Sequence, residues 1–266
     1  MRNRFARWFF VLTAGFCPLA SAESNATLLV VVGAPGEEAF GKDFAKAAKD
    51  WVKVARRGEA SLVRIGPGDG SDSKTTDRDR LKSAVATELE KDNGRPLWIV
   101  FIGHGTFDGK SAKFNLRGRD VSSNDLKAWL AKAKRPLVVL NTSSASSPFI
   151  NALSAPGRVI VTATKSGFEY NYSRFAGFLS KAMLDPSSDL DKDEQVSILE
   201  AFLLAASRTA EFYETEGRLA TEHALIDDNG DQRGTPAEFF RGVRAVRSAK
   251  GAVPDGSKAR HQGLSP

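Results

Sequence analysis

Four near-continuous apolar runs constrain this chain most: TLLVVV (27–32), LWIVFI (97–102), PLVVLN (136–141) and RVIVTA (158–163). Strands that are apolar on both faces need cover on both faces, which is the condition of a parallel sheet packed between helices. The segments between them supply that cover. EEAFGKDFAKAAKDWVKVARR (37–57) sets Phe40, Phe44, Ala47, Ala48 and Trp51 at helical spacing, and SLVRI (61–65) reads as a further strand. DRDRLKSAVATELEK (77–91) is a second helix with acids first and lysine last, as the helix dipole prefers. SSNDLKAWLAKA (122–133) is a third, opened by serines able to cap it. Repeated β-α-β units predict an α/β fold with a mostly parallel sheet and helices on both faces.

The ends of the chain read differently. Residues 1–22 combine Arg2, Arg4 and Arg7, a short apolar run and Ala20-Ser21-Ala22, the pattern of a cleaved bacterial-type signal peptide. The run is too short to span a bilayer with margin, so no membrane association is expected after cleavage. An anchor through Cys17 is disfavoured by bulky Phe16 before it. Removal of the leader takes away the one cysteine and lowers the charge from 38 basic against 32 acidic residues to 35 against 32, a formal +3. The mature chain therefore has no thiol, disulfide or cysteine-based metal site, and is expected in a periplasm or outside the cell. Residues 23–240 are long enough for one large domain. The basic stretch 241–266 reads as a solvated, disordered tail; its charges have no aromatic residues among them, which argues against nucleic acid.

Ligands of such sheets gather at the carboxyl ends of the strands. Three polar segments fall there: GHGTF after the third strand, NTSSASS after the fourth and TKSGFEYNYS after the fifth. No G-x-G-x-x-G follows a strand and no phosphate-loop motif occurs, so a nucleotide site has no support. The hydroxyls of residues 142–147 are open to two readings, a site or a local cap in which Ser146 or Ser147 starts a helix at Pro148.

IVFIGHG (99–105), followed by a hairpin-like excursion and then LNTSSASSPF, resembles the caspase–legumain–gingipain superfamily of cysteine peptidases. His104 and Gly105 stand where that family has its catalytic His-Gly. The turn is similar to the legumain-type E-S-C-E-S-G-S-M-F, and aligning on Phe149 puts Ser143 at the nucleophilic cysteine. TATKSGFEYNYSRF (162–175), with Glu169 and Ser173, resembles the segment lining the family's specificity pocket; EHALIDDNGD (222–231) is similar to its late pocket-edge strand. The resemblance spans about residues 27–231. It implies a three-layer caspase-like sandwich, a histidine assisting a thiolate, and backbone N–H groups stabilising an oxyanion. Serine departs from that pattern. A thiol with a pKa of about 8.5 is a few per cent ionised at neutral pH, whereas a hydroxyl needs a tightly placed base. A pseudo-peptidase holding a peptide or protein segment is the expectation, against a hydrolase using Ser143 and His104.

DLDKDEQVSILE (189–200) carries a separate signal. Asp189, Asp191 and Asp193 occupy positions 1, 3 and 5 of an EF-hand-like loop. Gln195 at 7 offers a carbonyl, Ser197 at 9 a hydroxyl and Glu200 at 12 a bidentate carboxylate, while amphipathic helices flank the loop. Calcium takes about six to eight oxygens, which alternating carboxylates supply. Glu194 replaces the glycine of position 6, which costs about 1–2 kcal/mol if the left-handed turn is kept and points to a weak Ca2+ site. The alternative is an acidic cap in which Ser197 or Asp193 starts the next helix. DDNGDQRGTPAE (227–238) repeats the alternation with Asp227, Asn229 and Asp231; an Asx-rich turn explains it as readily as a second ion. A calcium-stabilised structural protein is thus a third reading. His223 is expected to make a structural hydrogen bond.

Overall fold

The computed structural model describes residues 25–69, 74–91 and 93–240; the expected leader and tail lie outside the described residues. Strands β1 (Thr27–Val32), β2 (Ser61–Ile65), β3 (Leu97–Ile102), β7 (Leu137–Asn141) and β8 (Arg158–Thr162) are the apolar runs named above. They pair in parallel in the order β2-β1-β3-β7-β8. β9 (Leu225–Asp227) and β10 (Thr235–Pro236) extend that edge in antiparallel fashion, making seven strands. Between β3 and β7 the chain leaves the sheet to form a small antiparallel one from β4 (Gly105–Phe107), β5 (Ala112–Phe114) and β6 (Val121–Ser122).

The period of two along each strand divides the core into two layers. Leu28, Val30, Trp98, Val100, Val138 and Val161 face α1 (Glu38–Arg57), α5 (Phe175–Ala182) and α6 (Ile198–Thr215), meeting Phe44, Trp51, Leu179 and Phe202. Leu29, Val31, Ile99, Phe101, Val139 and Ile160 face α2 (Asp77–Glu90), α3 (Ser123–Trp129) and α4 (Pro148–Leu153), meeting Leu81, Val85, Leu126 and Phe149. The result is a three-layer α/β sandwich, as the apolar runs predict. β3 and β1 are buried at every position, so the centre of the sheet has no tolerance for a register slip.

Two local expectations are corrected. The third helix ends at Trp129 rather than reaching 133. Beyond that end Arg135 is drawn into a buried network, donating to the Glu88 carbonyl (2.9 Å) and carboxylate (3.2 Å), and Pro136 disfavours helical geometry at residue 135. Neither Ser146 nor Ser147 caps α4: Ser147 is the N-cap residue but its side chain makes no capping bond, and the Ser146 hydroxyl is engaged elsewhere. Among the described residues no helix is long and apolar enough to cross a membrane.

Candidate functional site

The ends of β3 and β7 are neighbours, so the segments after them meet at one rim of the sheet. There the hydroxyl-rich turn is tied to three strand ends. Thr142 Oγ1 donates to the Phe101 carbonyl (2.6 Å). Ser144 Oγ donates to the Gly105 carbonyl (3.1 Å) and accepts from the Gly105 N–H (3.2 Å). Ser146 Oγ accepts from the Ala163 N–H (3.1 Å), while Thr164 Oγ1 accepts from the N–H groups of Ser146 (2.8 Å) and Ser147 (3.2 Å). All four of Thr142, Ser143, Ser144 and Ser146 are buried. The hydroxyl cluster therefore satisfies the polar backbone at the mouth of a sheet whose strand ends are closed off from water.

Ser143 belongs to this clasp. Its hydroxyl donates to Asn141 Oδ1 (2.7 Å), with a longer contact to the Ser144 carbonyl (3.2 Å), and it has no solvent exposure. Gly105 lies against it: a Cβ there would fall 2.7 Å from Ser143 Oγ and 2.2 Å from the Ser144 carbonyl oxygen, so only glycine fits this approach. The rim thus brings Gly105 and Ser143 together. It does not join the imidazole to the alcohol. His104 Nε2 meets the Pro35 carbonyl at 3.2 Å, and the ring is enclosed by Phe40 and Phe44, with centroids at 5.0 and 5.2 Å, and by Tyr172 at 6.1 Å. Tyr172 is fixed in turn by donating to Asp43 Oδ2 (3.0 Å); burial, then that bond, pushes its hydroxyl pKa well up. Serine attack requires a hydrogen-bonded base and an accessible oxygen, and neither hydroxyl nor ring supplies that here.

The segment after β8 folds over the turn. The Ala145 N–H donates to the Glu169 carbonyl (2.8 Å), with Ala145 at a left-handed φ of 51°. Glu169 Oε1 contacts His223 Nδ1 at 2.6 Å and Oε2 accepts from the Lys165 N–H (2.9 Å), which is the structural bond expected of His223. Ser173 is corrected as a pocket residue: it is buried and donates to Glu222 (2.7 Å). Glu222 was not legible as functional or structural from its surroundings in the sequence, yet it also accepts from the N–H groups of Arg174 (2.9 Å) and Phe175 (3.1 Å) and from the Tyr213 hydroxyl (3.1 Å). The exposed residues of this rim include two large aromatic ones. Phe168 (64% exposed) and Tyr170 (52%) project from the same segment, and Phe107 packs edge-on against Phe168 at 5.3 Å.

The loop 189–200 joins α5 to α6. Carboxylate oxygens of Asp189, Asp191 and Asp193 lie within 4.8 Å of one another. Positions 4 and 6, Lys192 and Glu194, are left-handed with φ of 61° and 70°, so glutamate adopts the turn that glycine would favour. The Glu194 N–H donates to Asp189 Oδ2 (3.1 Å) and the Gln195 N–H to Asp193 Oδ1 (2.9 Å). Glu200 Oε1 accepts from the Leu190 and Asp191 N–H groups, while Oε2 accepts from the Ser197 N–H and hydroxyl. Ser197 is the N-cap of α6 in a reciprocal capping box with Glu200, so the helix cap read as an alternative is present within the same loop. Burial, then the charges of Glu200 and Asp193, raise the pKa of Asp191. Asp227 ends β9 and Asn229 and Asp231 follow it, at the end of that antiparallel strand away from the His104 rim.

The sequence matches no family model and no curated protein. The structure is similar to the Drosophila initiator caspase Dronc, with a TM-score of 0.50 and 13% identity over 80% of this chain and 82% of that one. Caspase-1 from Spodoptera frugiperda is similar with a TM-score of 0.49 and 9% identity, over 80% of this chain and 90% of that one. At these identities the likeness to Dronc concerns architecture, and it agrees with the sheet order found here: this chain has the caspase-like fold.

Proposed function

We propose that this chain is an exported, non-hydrolytic protein of caspase-like fold that binds calcium at 189–200 and holds a peptide segment of a partner at the aromatic rim. The observation that carries the loss of hydrolysis is the Ser143 hydroxyl, buried and committed to Asn141 Oδ1, while His104 faces the Pro35 carbonyl. A nucleophile must be free to lose its proton to a base in hydrogen-bond reach. Calcium is supported by the convergence of the Asp189, Asp191 and Asp193 carboxylates, with Asp191 raised in pKa by burial and then by its acidic neighbours, while Glu200 is committed to the loop backbone and the helix cap. A divalent cation relieves that repulsion, and carboxylate oxygens engaged by one N–H keep lone pairs for an ion. For the peptide, Phe107, Phe168 and Tyr170 offer apolar surface beside the polar Glu169–His223 pair. Export rests on the basic-then-apolar leader 1–22.

The test of inertness is incubation with peptide substrates and a serine-reactive phosphonate. No label at Ser143 is expected; label that disappears in His104→Ala would establish a hydrolase instead. Calorimetric calcium titration of wild type and Asp189→Ala tests the metal. Heat lost in the variant is expected, and equal heats would leave the loop as a helix cap alone.

A further inference from the structure

The loop after β9 closes like the 189–200 loop. Its fourth and sixth positions, Gly230 and Gln232, are left-handed with φ of 78° and 68°. The Asp231 N–H donates to Asn229 Oδ1 (2.9 Å) and the Arg233 N–H to Asp231 Oδ1 (2.8 Å), the same rungs that Asp193 and Gln195 make in the earlier loop. An ordinary run of Asx turns would produce that ladder without any ligand.

Asp227 is the independent observation. It is 2% exposed, and Oδ1 accepts from the Gly230 N–H (2.8 Å), which aims the carboxylate into the loop. Oδ2 is buried and has no hydrogen-bond partner. Among the described residues no lysine, arginine or histidine forms an ion pair with it. A buried carboxylate oxygen with neither donor nor counter-charge is costly, and native structures rarely keep one without a ligand.

We infer that Asp227, Asn229 and Asp231 bind a second divalent cation of the calcium class. Asp227 Oδ2, the Asn229 amide oxygen, the Asp231 carboxylate and the Arg233 carbonyl are its protein donors, and water fills the remaining positions. All are hard oxygen donors, and a site sharing its carboxylates with backbone N–H groups suits the loose coordination of calcium better than the strict octahedron of magnesium. The ion fastens the far edge of the sheet. The Gln232 N–H donates to Ser154 Oγ (3.0 Å), and Gly230 presses on Ala155 so closely that a Cβ would fall 2.7 Å from its carbonyl carbon. Binding at this loop would thus pin the β9–β10 hairpin to the turn that enters β8. This site stands on its own observation and does not depend on the 189–200 loop.

The test is calorimetric titration of the metal-stripped full chain with calcium chloride, for wild type, Asp189→Ala, Asp231→Ala and Asp227→Asn. Asp231 is exposed, so its loss leaves folding intact and reads the site directly. Asp227→Asn keeps the side-chain volume in the buried position. Expected is a binding event in wild type that survives Asp189→Ala and weakens at least about tenfold in both other variants. Wild-type stoichiometry and affinity in Asp231→Ala, or calcium binding lost entirely in Asp189→Ala, would overturn this site while leaving the 189–200 loop standing. Binding lost only in Asp231→Ala would sink the 189–200 loop instead.

Discussion

Glu222 should be among the most sensitive single positions in the fold. It lies far along the chain from α5, yet its carboxylate caps that helix, since Arg174 at the N-cap position offers no side-chain bond of its own. The N–H groups of Arg174 and Phe175 and the hydroxyls of Ser173 and Tyr213 all point at it. Glu222→Ala leaves two amide donors without acceptors, at about 1–3 kcal/mol each. It also removes a negative charge from a helix N-terminus, at about 0.3–1 kcal/mol. The hydroxyls recover part of their loss, because Tyr213 already shares a 3.0 Å contact with Thr221. The net expectation is about 3–5 kcal/mol, which for a domain of this size lowers Tm by about 6–20 °C. Glu222→Gln keeps one acceptor oxygen but turns an NH2 toward donors, so it should fall between alanine and wild type. Exposed Glu214→Ala should change stability by no more than about 0.5 kcal/mol. Thermal melts and urea titrations of the four proteins decide it. A Glu222→Ala protein that melts with the Glu214→Ala control would show that the cap contributes nothing.

The other expectations concern the rim, the acidic loop and the buried ion pair. Gly105→Ala drives a methyl group into the Ser144 carbonyl and should cost about 3 kcal/mol in urea unfolding; a loss below about 1 kcal/mol would mean the turn is looser than its hydrogen bonds indicate. Ser143→Cys should yield no peptidase, and iodoacetamide should label residue 143 only after denaturation; rapid labelling of the native variant, read by mass spectrometry, would contradict the burial argument. Because the folded pKa of Asp191 is raised, metal-free protein loses stability as pH rises from the unfolded value through the folded one. Asp191→Asn should therefore raise stability in chelator at neutral pH, by less than about 1 kcal/mol at this partly exposed site, and a lower Tm would reverse the assignment. Arg135→Leu leaves Glu88 with Lys91 and Thr27 but removes its buried ion pair to Arg135 and the donors to the Glu88 and Pro96 carbonyls, and should cost about 1–3 kcal/mol at neutral pH. Burial raises Glu88, but bonds from Lys91 and Thr27 outweigh it and lower its pKa, so this stabilisation is full above the unfolded value of 4.5 and disappears as acid titrates through the lower folded value. An Arg135→Leu deficit that persists undiminished in strong acid would rule that account out.

The sheet was readable because strands buried on both faces cannot hide polar residues, so 27–32, 97–102, 137–141 and 158–162 stand out from their neighbours. The excursion between 105 and 122 was readable from its turn residues and alternation. Contacts between side chains distant in sequence were not. Ser173 looked like a pocket residue because nothing near it announces Glu222 as its acceptor. The aromatic box around His104 draws on Phe40, Phe44 and Tyr172, two of which read simply as core positions of a helix. Ser146 looked like a cap because Pro148 follows it, yet the Ala163 N–H of the adjoining strand end competes for the same oxygen and holds it. The metal-like loop lay between, since alternating acids fix the ladder of Asx bonds locally, whatever the flanking helices do.

A serine at the end of a strand can serve as a nucleophile or as a structural hydroxyl. Here the turn has a second occupation. A nucleophilic oxygen has to be unbound, solvent-facing and in reach of a base, whereas a structural hydroxyl has to be bound, buried and fixed. Thr142, Ser143, Ser144 and Ser146 meet the second set of conditions together, and their bonds join the ends of β3, β7 and β8. Releasing the Ser143 hydroxyl would break its 2.7 Å bond to Asn141, leaving Asn141 Oδ1 only the longer bond from the Ser143 N–H (3.2 Å) beside an Nδ2 already buried without a partner. Cysteine at 143 would weaken the clasp, because a thiol is a poorer donor than a hydroxyl. Packing and nucleophilic attack therefore make opposite demands on the same residue, and the bonds that Ser143 makes are those of packing. Among the groups that the clasp leaves free at this rim are the exposed rings of Phe168 and Tyr170, beside the Glu169–His223 pair.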